Sequence, residues 1–247
     1  LDDVRDRGEP VAAPWASAAA IYRRYGYGLA SLVGSFELQK RHAALRGEAD
    51  PAFRTRLVPL DEALPIVRPI YGRVRLRTPG MMSRTDAWWE LRQIADPPER
   101  REEGAKKTVV AVERDGEPVA YAIYRTISRW EEGANVGWVS VIEAFGDDGA
   151  EVELWRFLLG IDWVASYRGT IALDSPLLHA AVYPGRLKLR LGDALWLRLV
   201  DVGAALSGRA YGSDDPLVLD VEDSFLPENA GRWRLAGGRA ERTEEEA

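Results

Sequence analysis

Two runs of apolar and β-branched residues, 108–113 and 118–125, flank Arg114-Asp115-Gly116-Glu117. Asp-Gly between such runs is a strong hairpin signal, because the tight turn that matches strand twist needs positive φ at both central residues. Another strand-like run, 136–145, follows. Residues 149–167 then place Leu154, Phe157, Leu158, Ile161 and Ala165 on one helical face. Residues 170–174 read as a further strand. Hairpin, strand, helix and strand in that order predict an α/β layer, with the helix crossing over one face of a mixed sheet.

Composition narrows the chemistry. The 247 residues suffice for one large domain or two ordinary ones, and a hydrophobic content of 46% supports sizeable cores. A formal net charge of −6 argues against a grip on nucleic acid, which needs clustered cations. With no cysteine there is no disulfide, thiolate metal site or cysteine nucleophile. His42 and His179 are the only histidines, which makes a protein-built metal site improbable. No apolar run approaches the ~20 residues of a membrane span, and the charged start is no signal peptide. A cytoplasmic protein is expected. Leu1, Val4 and Gly8 read as the end of a helix that begins upstream. The chain is therefore expected to be an internal piece of a longer protein.

Elsewhere, residues 10–17 read as a short buried strand that Pro14 bulges or ends, and 18–24 as a helix capped by Ser17. Residues 29–39 read as a strand with a bulge at Gly34, and 40–53 as a linker. Residues 59–74 predict a helix interrupted at Pro65 and Pro69. Residues 83–98 predict a firmer helix, capped by Ser83 or Thr85, with Trp88, Leu91 and Ile94 on one face. A strand over 194–202, a helix over 202–209 ending at Gly208, and strands within 216–223 and 231–242 complete the chain.

The stretch "ASAAAIYRRYGYG", 16–28, sets Tyr22 at the end of a short alanine-rich helix, beside Arg23 and Arg24 and before two glycines. One reading of Tyr22 is an aromatic anchor with a satisfied hydroxyl. The other is a proton donor. A phenol titrates near ~10 and a thiol near ~8.5, so a phenol can stabilise a departing thiolate by hydrogen bonding even where full transfer is uphill.

The stretch "PVAAPWASAAAIYRRYGYG" (10–28), the "PGMMSR" region (79–84), "ELWRFLLGIDWV" (153–164), "GDALWLRLVDVGAALSGRAY" (192–211) and "PLVLDVEDSF" (216–225) resemble, in this order, one family. It is the enhanced intracellular survival acetyltransferases, a branch of the GCN5-related N-acetyltransferases (GNAT). The resemblance implies an α/β fold: tandem GNAT-like domains with mixed sheets and flanking helices, then an α+β sterol-carrier-protein-like domain. It divides the chain into the closing part of an N-terminal GNAT domain (1–42), a central GNAT-like domain (53–191) and the start of the sterol-carrier-like domain (192–247). It implies acetyl transfer from acetyl-CoA to primary amines of aminoglycoside, polyamine or lysine type, in a homo-oligomer, often a hexamer.

By the same resemblance Tyr22 matches the family's general acid. Ser17 and Ala18 match positions that touch acetyl-CoA, although the family usually has glutamate where Ala18 stands. Trp15 stands where some members have histidine and is expected as an apolar wall of the substrate site. Asp193 matches a position near the substrate pocket, where a carboxylate would attract a polycationic amine. The family's phosphate loop would lie before Leu1, and its general base is the C-terminal carboxylate of the full chain, a role not assigned to Ala247. So residues 1–247 alone are expected to turn over little. In the central domain, Asp147, Asp148, Glu151 and Glu153 crowd the helix start, where they would repel a phosphate. That domain reads as a copy that has lost its cofactor. The rival reading of the whole chain is a non-catalytic scaffold for oligomerisation and ligand binding.

Overall fold

The structure, a computed structural model, describes residues 1–15, 18–147 and 149–247. They form two compact units, Val33–Gly192 and Leu1–Leu32 with Asp193–Ala247.

The first unit is built on a seven-stranded sheet in the order Arg190–Asp193, Leu32–Gln39, Ser166–Ile171, Trp138–Gly146, Glu117–Ile127, Lys107–Arg114 and Phe53–Val58. The Asp-Gly hairpin forms as expected, with Asp115 at φ 54° and Gly116 at φ 82°. The strand Ser166–Ile171 runs parallel to Trp138–Gly146 and antiparallel to Leu32–Gln39, so the sheet is mixed. The helix Ala150–Gly160 makes the crossover. It buries Leu154, Trp155 and Leu158 against Val110, Val112, Ala122, Val139 and Val141. The alternate strand positions Val109, Ala111, Tyr121 and Ile123 point the other way and pack with Val67, Ile70, Tyr71 and Val74 of the helix Leu64–Arg77. The period-2 alternation of strands thus feeds two cores, one on each face.

Several sequence expectations are corrected here. The crossover helix ends at Gly160 rather than continuing to residue 167. The carbonyls of Leu159 and Ile161 accept from the Tyr167 hydroxyl at 2.6 and 3.0 Å, and Ile161 also accepts from Lys40 Nζ at 2.8 Å. Those donors satisfy the helix end and free Ser166–Ile171 to pair as a strand. Residues 83–98 hold only the turn Asp86–Trp88, capped by Thr85, followed by a π-helical stretch Trp89–Ile94. The wider turn rotates the buried face: Trp89 is 3% exposed, whereas Trp88 is 43% and Leu91 66% exposed. Pro65 starts the helix Leu64–Arg77 and Pro69 lies within it without ending it. Gly34 is not a bulge, since it pairs with Ile171 in regular register. A Cβ there would lie 2.7 Å from Leu189 Cδ1, so a larger residue would have to displace the end of that leucine. The strand predicted over 29–39 is divided into Gly28–Leu29 and Leu32–Gln39, which belong to different sheets.

In the second unit, Trp196–Leu199 is the centre of a three-stranded sheet, with Val11–Ala12 on one side and Gly28–Leu29 on the other. Among the described residues of the strand predicted over 10–17, only Val11–Ala12 form a strand, both half-buried. The helix Val202–Ser207 is capped by the Asp201 carboxylate, which accepts from Ala204 N at 2.9 Å, and it stops at Gly208. Leu217–Val221, Gly231–Ala236 and Arg239–Arg242 form another antiparallel sheet. Gly237 and Gly238, both at positive φ, make its last turn. No helix among the described residues is long and apolar enough to cross a membrane. No group of three or more His, Cys, Asp or Glu among them could hold a metal ion.

Candidate functional site

Tyr22 lies in the short helix Ala19–Arg23. How this helix ends explains the glycines behind it. Gly26 N donates to Arg23 O at 3.1 Å and Tyr27 N donates to Tyr22 O at 3.3 Å, with Gly26 at φ 74°. This paired closure, with a left-handed residue just past the helix, is the Schellman motif, and it brings the residue after the glycine back onto the last turn. The Tyr22 and Tyr27 rings accordingly meet edge to face, centroids 5.5 Å apart. The Tyr25 ring meets Phe225 in the same way at 5.2 Å. Together with Ile21, Leu226, Leu1 and Asp2 these four rings line a cavity of about 620 Å³. Tyr22 is half-buried on its wall. Burial pushes the Tyr27 phenol above its ordinary pKa, Tyr22 adds to the rise and the Arg198 cation opposes it.

The other predicted site residues are placed as follows. Ala18 is the N-cap of the Tyr22 helix and offers no side-chain cap. Ser17, both as cap and as cofactor contact, lies outside the described residues, as does Asp148. Trp15 is 67% exposed and bridges Leu195 on the sheet. The Asp193 carboxylate accepts from Trp196 Nε1 at 2.7 Å, and the Arg23 guanidinium sits over the same indole, 5.6 Å from its centroid. Asp193, Trp196 and Arg23 therefore form one cluster. Neither Trp15 nor Asp193 lines the Tyr22 cavity. The aromatic and apolar lining suits the thioester end of a pantetheine arm. Among the described residues, those lining the cavity carry no cationic side chain for the phosphate end.

Sequence reasoning did not single out Arg198 or Asp223. Arg198 Nη2 donates to Asp223 Oδ1 and Oδ2 at 2.7 and 2.6 Å, with the two side chains 8% and 6% exposed. The signal for Arg198 was present. It shares alternate positions with Ala194, Trp196 and Val200, all buried, so it is a cation on the inner face of a strand. Asp223 carries no comparable signal, because its partner lies 25 residues away.

At the head of the crossover helix in the other unit, Asp147 pairs with Arg73 at 3.3 Å and Arg77 at 3.2 Å. The Glu151 carboxylate accepts from Trp155 Nε1 and Ser175 Oγ, each at 3.1 Å. Asp147 is thus paired with two guanidinium cations, and the Glu151 carboxylate is held by two neutral donors.

Residues 80–199 match the acetyltransferase (GNAT) domain family, and residues 202–247 match the sterol carrier protein domain family. An uncharacterised N-acetyltransferase of Streptomyces avermitilis is 38% identical over 242 residues, covering 96% of this chain and 58% of its own. N-acetyltransferase Eis of Mycobacterium tuberculosis is 30% identical over 255 residues, covering 99% of this chain and 59% of its own. The crystal structure of Eis1 from Mycobacterium abscessus aligns with a TM-score of 0.74 at 30% identity, over 99% of this chain and 62% of that one. A GCN5-related N-acetyltransferase structure from Anabaena variabilis, at 18% identity and a TM-score of 0.79, shares the fold. The chain thus spans less than two thirds of the length of these relatives. With the mixed sheet, the crossover helix and the matches over nearly its whole length, the chain belongs to the Eis-like family of GNAT proteins.

Proposed function

We propose that the protein containing this chain is an acetyl-CoA-dependent N-acetyltransferase of primary amines and that Tyr22 is its general acid. The observation that carries this reading is the half-buried Tyr22 hydroxyl-bearing ring on an aromatic cavity wall, in a chain whose relatives are named N-acetyltransferases. Acetyl-CoA supplies the acetyl group. The amine nitrogen forms the new bond to the acetyl carbon, the carbon–sulfur bond breaks, and Tyr22 gives its proton to the departing sulfur. The amine's proton leaves to a base, and solvent reprotonates the phenol. A positioned acid of this kind contributes typically ~10²–10⁴-fold.

Under the same proposal, residues 1–42 close an N-terminal GNAT domain, 53–191 form a central GNAT-like domain and 192–247 open a sterol-carrier-like domain. Ser17 and Ala18 contact acetyl-CoA, and Trp15 and Asp193 face the amine. The protein is cytoplasmic and a homo-oligomer, a hexamer by likeness to its family. The central domain acts as scaffold, with the carboxylates of Asp147, Glu151 and Glu153 about the start of its crossover helix. The test is release of free thiol by the full-length protein with polyamines, aminoglycosides and lysine peptides in turn. Amine-dependent release with at least one class is expected; none with any class contradicts the reading.

A further inference from the structure

We propose that Arg198, locked to Asp223, is a positioning residue for Tyr22, setting both the glycine turn behind the phenol and the opposite cavity wall. The proposal rests on the reading of Tyr22 as proton donor. Its geometry has two arms.

The first arm runs through Gly26. A Cβ on that residue would lie 2.9 Å from both Arg198 Cζ and Nη1 and 3.1 Å from Nε. The guanidinium therefore lies flat against the backbone of the one residue whose left-handed conformation closes the Schellman turn. What it presses on is the link between Tyr22 and Tyr27.

The second arm runs through Asp223. Beyond Arg198, its carboxylate accepts from Phe225 N at 3.1 Å, Leu226 N at 2.9 Å and Asn229 Nδ2 at 3.1 Å. Phe225 and Leu226 are the cavity wall that faces the tyrosines. Asn229 in turn accepts from Val202 N at 3.3 Å, and its Nδ2 lies 3.4 Å from Leu199 O, which anchors the segment to the end of the central strand. One ion pair thus sets the distance between the turn carrying Tyr22 and Tyr27 and the wall carrying Phe225.

Stability alone does not account for the pair. Apolar residues of similar volume often replace a buried ion pair with no loss of stability. Here the cost is raised further, because Arg198 Nε is buried with no hydrogen-bond partner among the described residues. A planar group that can stack on one element while it grips another is what this position uses, and lysine has no such plane. Burial works against ionisation of Asp223, but the Leu226 N–H, Arg198 and Asn229 outweigh it and hold the carboxyl below its ordinary pKa, so the pair stays charged near neutrality.

The experiment is a double-mutant cycle in the full-length protein, read by amine-dependent thiol release and normalised to folded protein by circular dichroism. Arg198→Lys keeps the charge and loses the plane. Gly26→Ala disturbs the same contact from the other side, so the test survives if either variant folds poorly. Each is expected to lower kcat about tenfold or more while KM for acetyl-CoA and amine stays within about twofold, since misplacement by ~1 Å can cost about a hundredfold. In a Tyr22→Phe background neither is expected to lower kcat further, because residues acting through one group are not additive. Wild-type kcat in Arg198→Lys, or the same fold-loss with and without the Tyr22 hydroxyl, overturns the positioning role. If Tyr22→Phe itself retains wild-type kcat, the reading of Tyr22 falls and this proposal falls with it.

Discussion

At the scale of single residues, the chain shows how much a glycine can settle. The first of the two glycines behind Tyr22 is accounted for by the Schellman closure: Gly26 takes the left-handed position and returns Tyr27 onto Tyr22. The Arg198–Asp223 pair was not legible, because its meaning depends on a partner distant in sequence. Glu151 is another residue whose state follows from burial. Burial pushes its carboxyl above the ordinary value and Asp174 adds to that, while Trp155, Ser175 and Arg77 oppose it. The folded state thus holds this proton more tightly than the unfolded one. Its contribution to stability is present below the ordinary carboxyl range near ~4.3 and is lost as pH rises through the folded pKa. Glu151→Gln is expected to raise the melting temperature more at pH 8 than at pH 4. A difference that is flat or reversed between those pH values would contradict this.

At the scale of elements, hydrophobic period located the hairpin and the crossover correctly and misjudged where helices stop. Residues 161 and 165 continue the apolar stripe of the crossover helix, but the chain leaves it at Gly160 because Tyr167 and Lys40 reach its last carbonyls. A local pattern carries no trace of those donors. In residues 83–98 the period was read as α-helical, whereas Ala95 N donates to Glu90 O at 3.1 Å, a π-type bond. The shift buries Trp89 beside Arg84, whose guanidinium lies 3.9 Å from the Tyr71 ring centroid and 4.7 Å from that of Trp89 while it donates to Glu143 at 2.7 Å. Trp89→Ala is therefore expected to cost about 3–5 kcal/mol in chemical denaturation. Trp88→Ala is expected to cost about 1 kcal/mol or less. Equal losses would refute the π-helical register.

At the scale of the whole molecule, the resemblance visible in five separated stretches agrees with the family found for the chain, because it rested on order along the sequence rather than on one motif. Under the proposed scaffold role, the central domain holds no coenzyme of its own; Asp147 there pairs with Arg73 and Arg77. Calorimetric titration of the full-length protein is expected to give one acetyl-CoA per chain, and two would contradict the scaffold role of the central domain. The most direct measurement of the central claim is kcat for amine-dependent thiol release by full-length Tyr22→Phe beside wild type. The account predicts a fall of roughly a hundredfold or more with the fold intact; an unchanged kcat would contradict it.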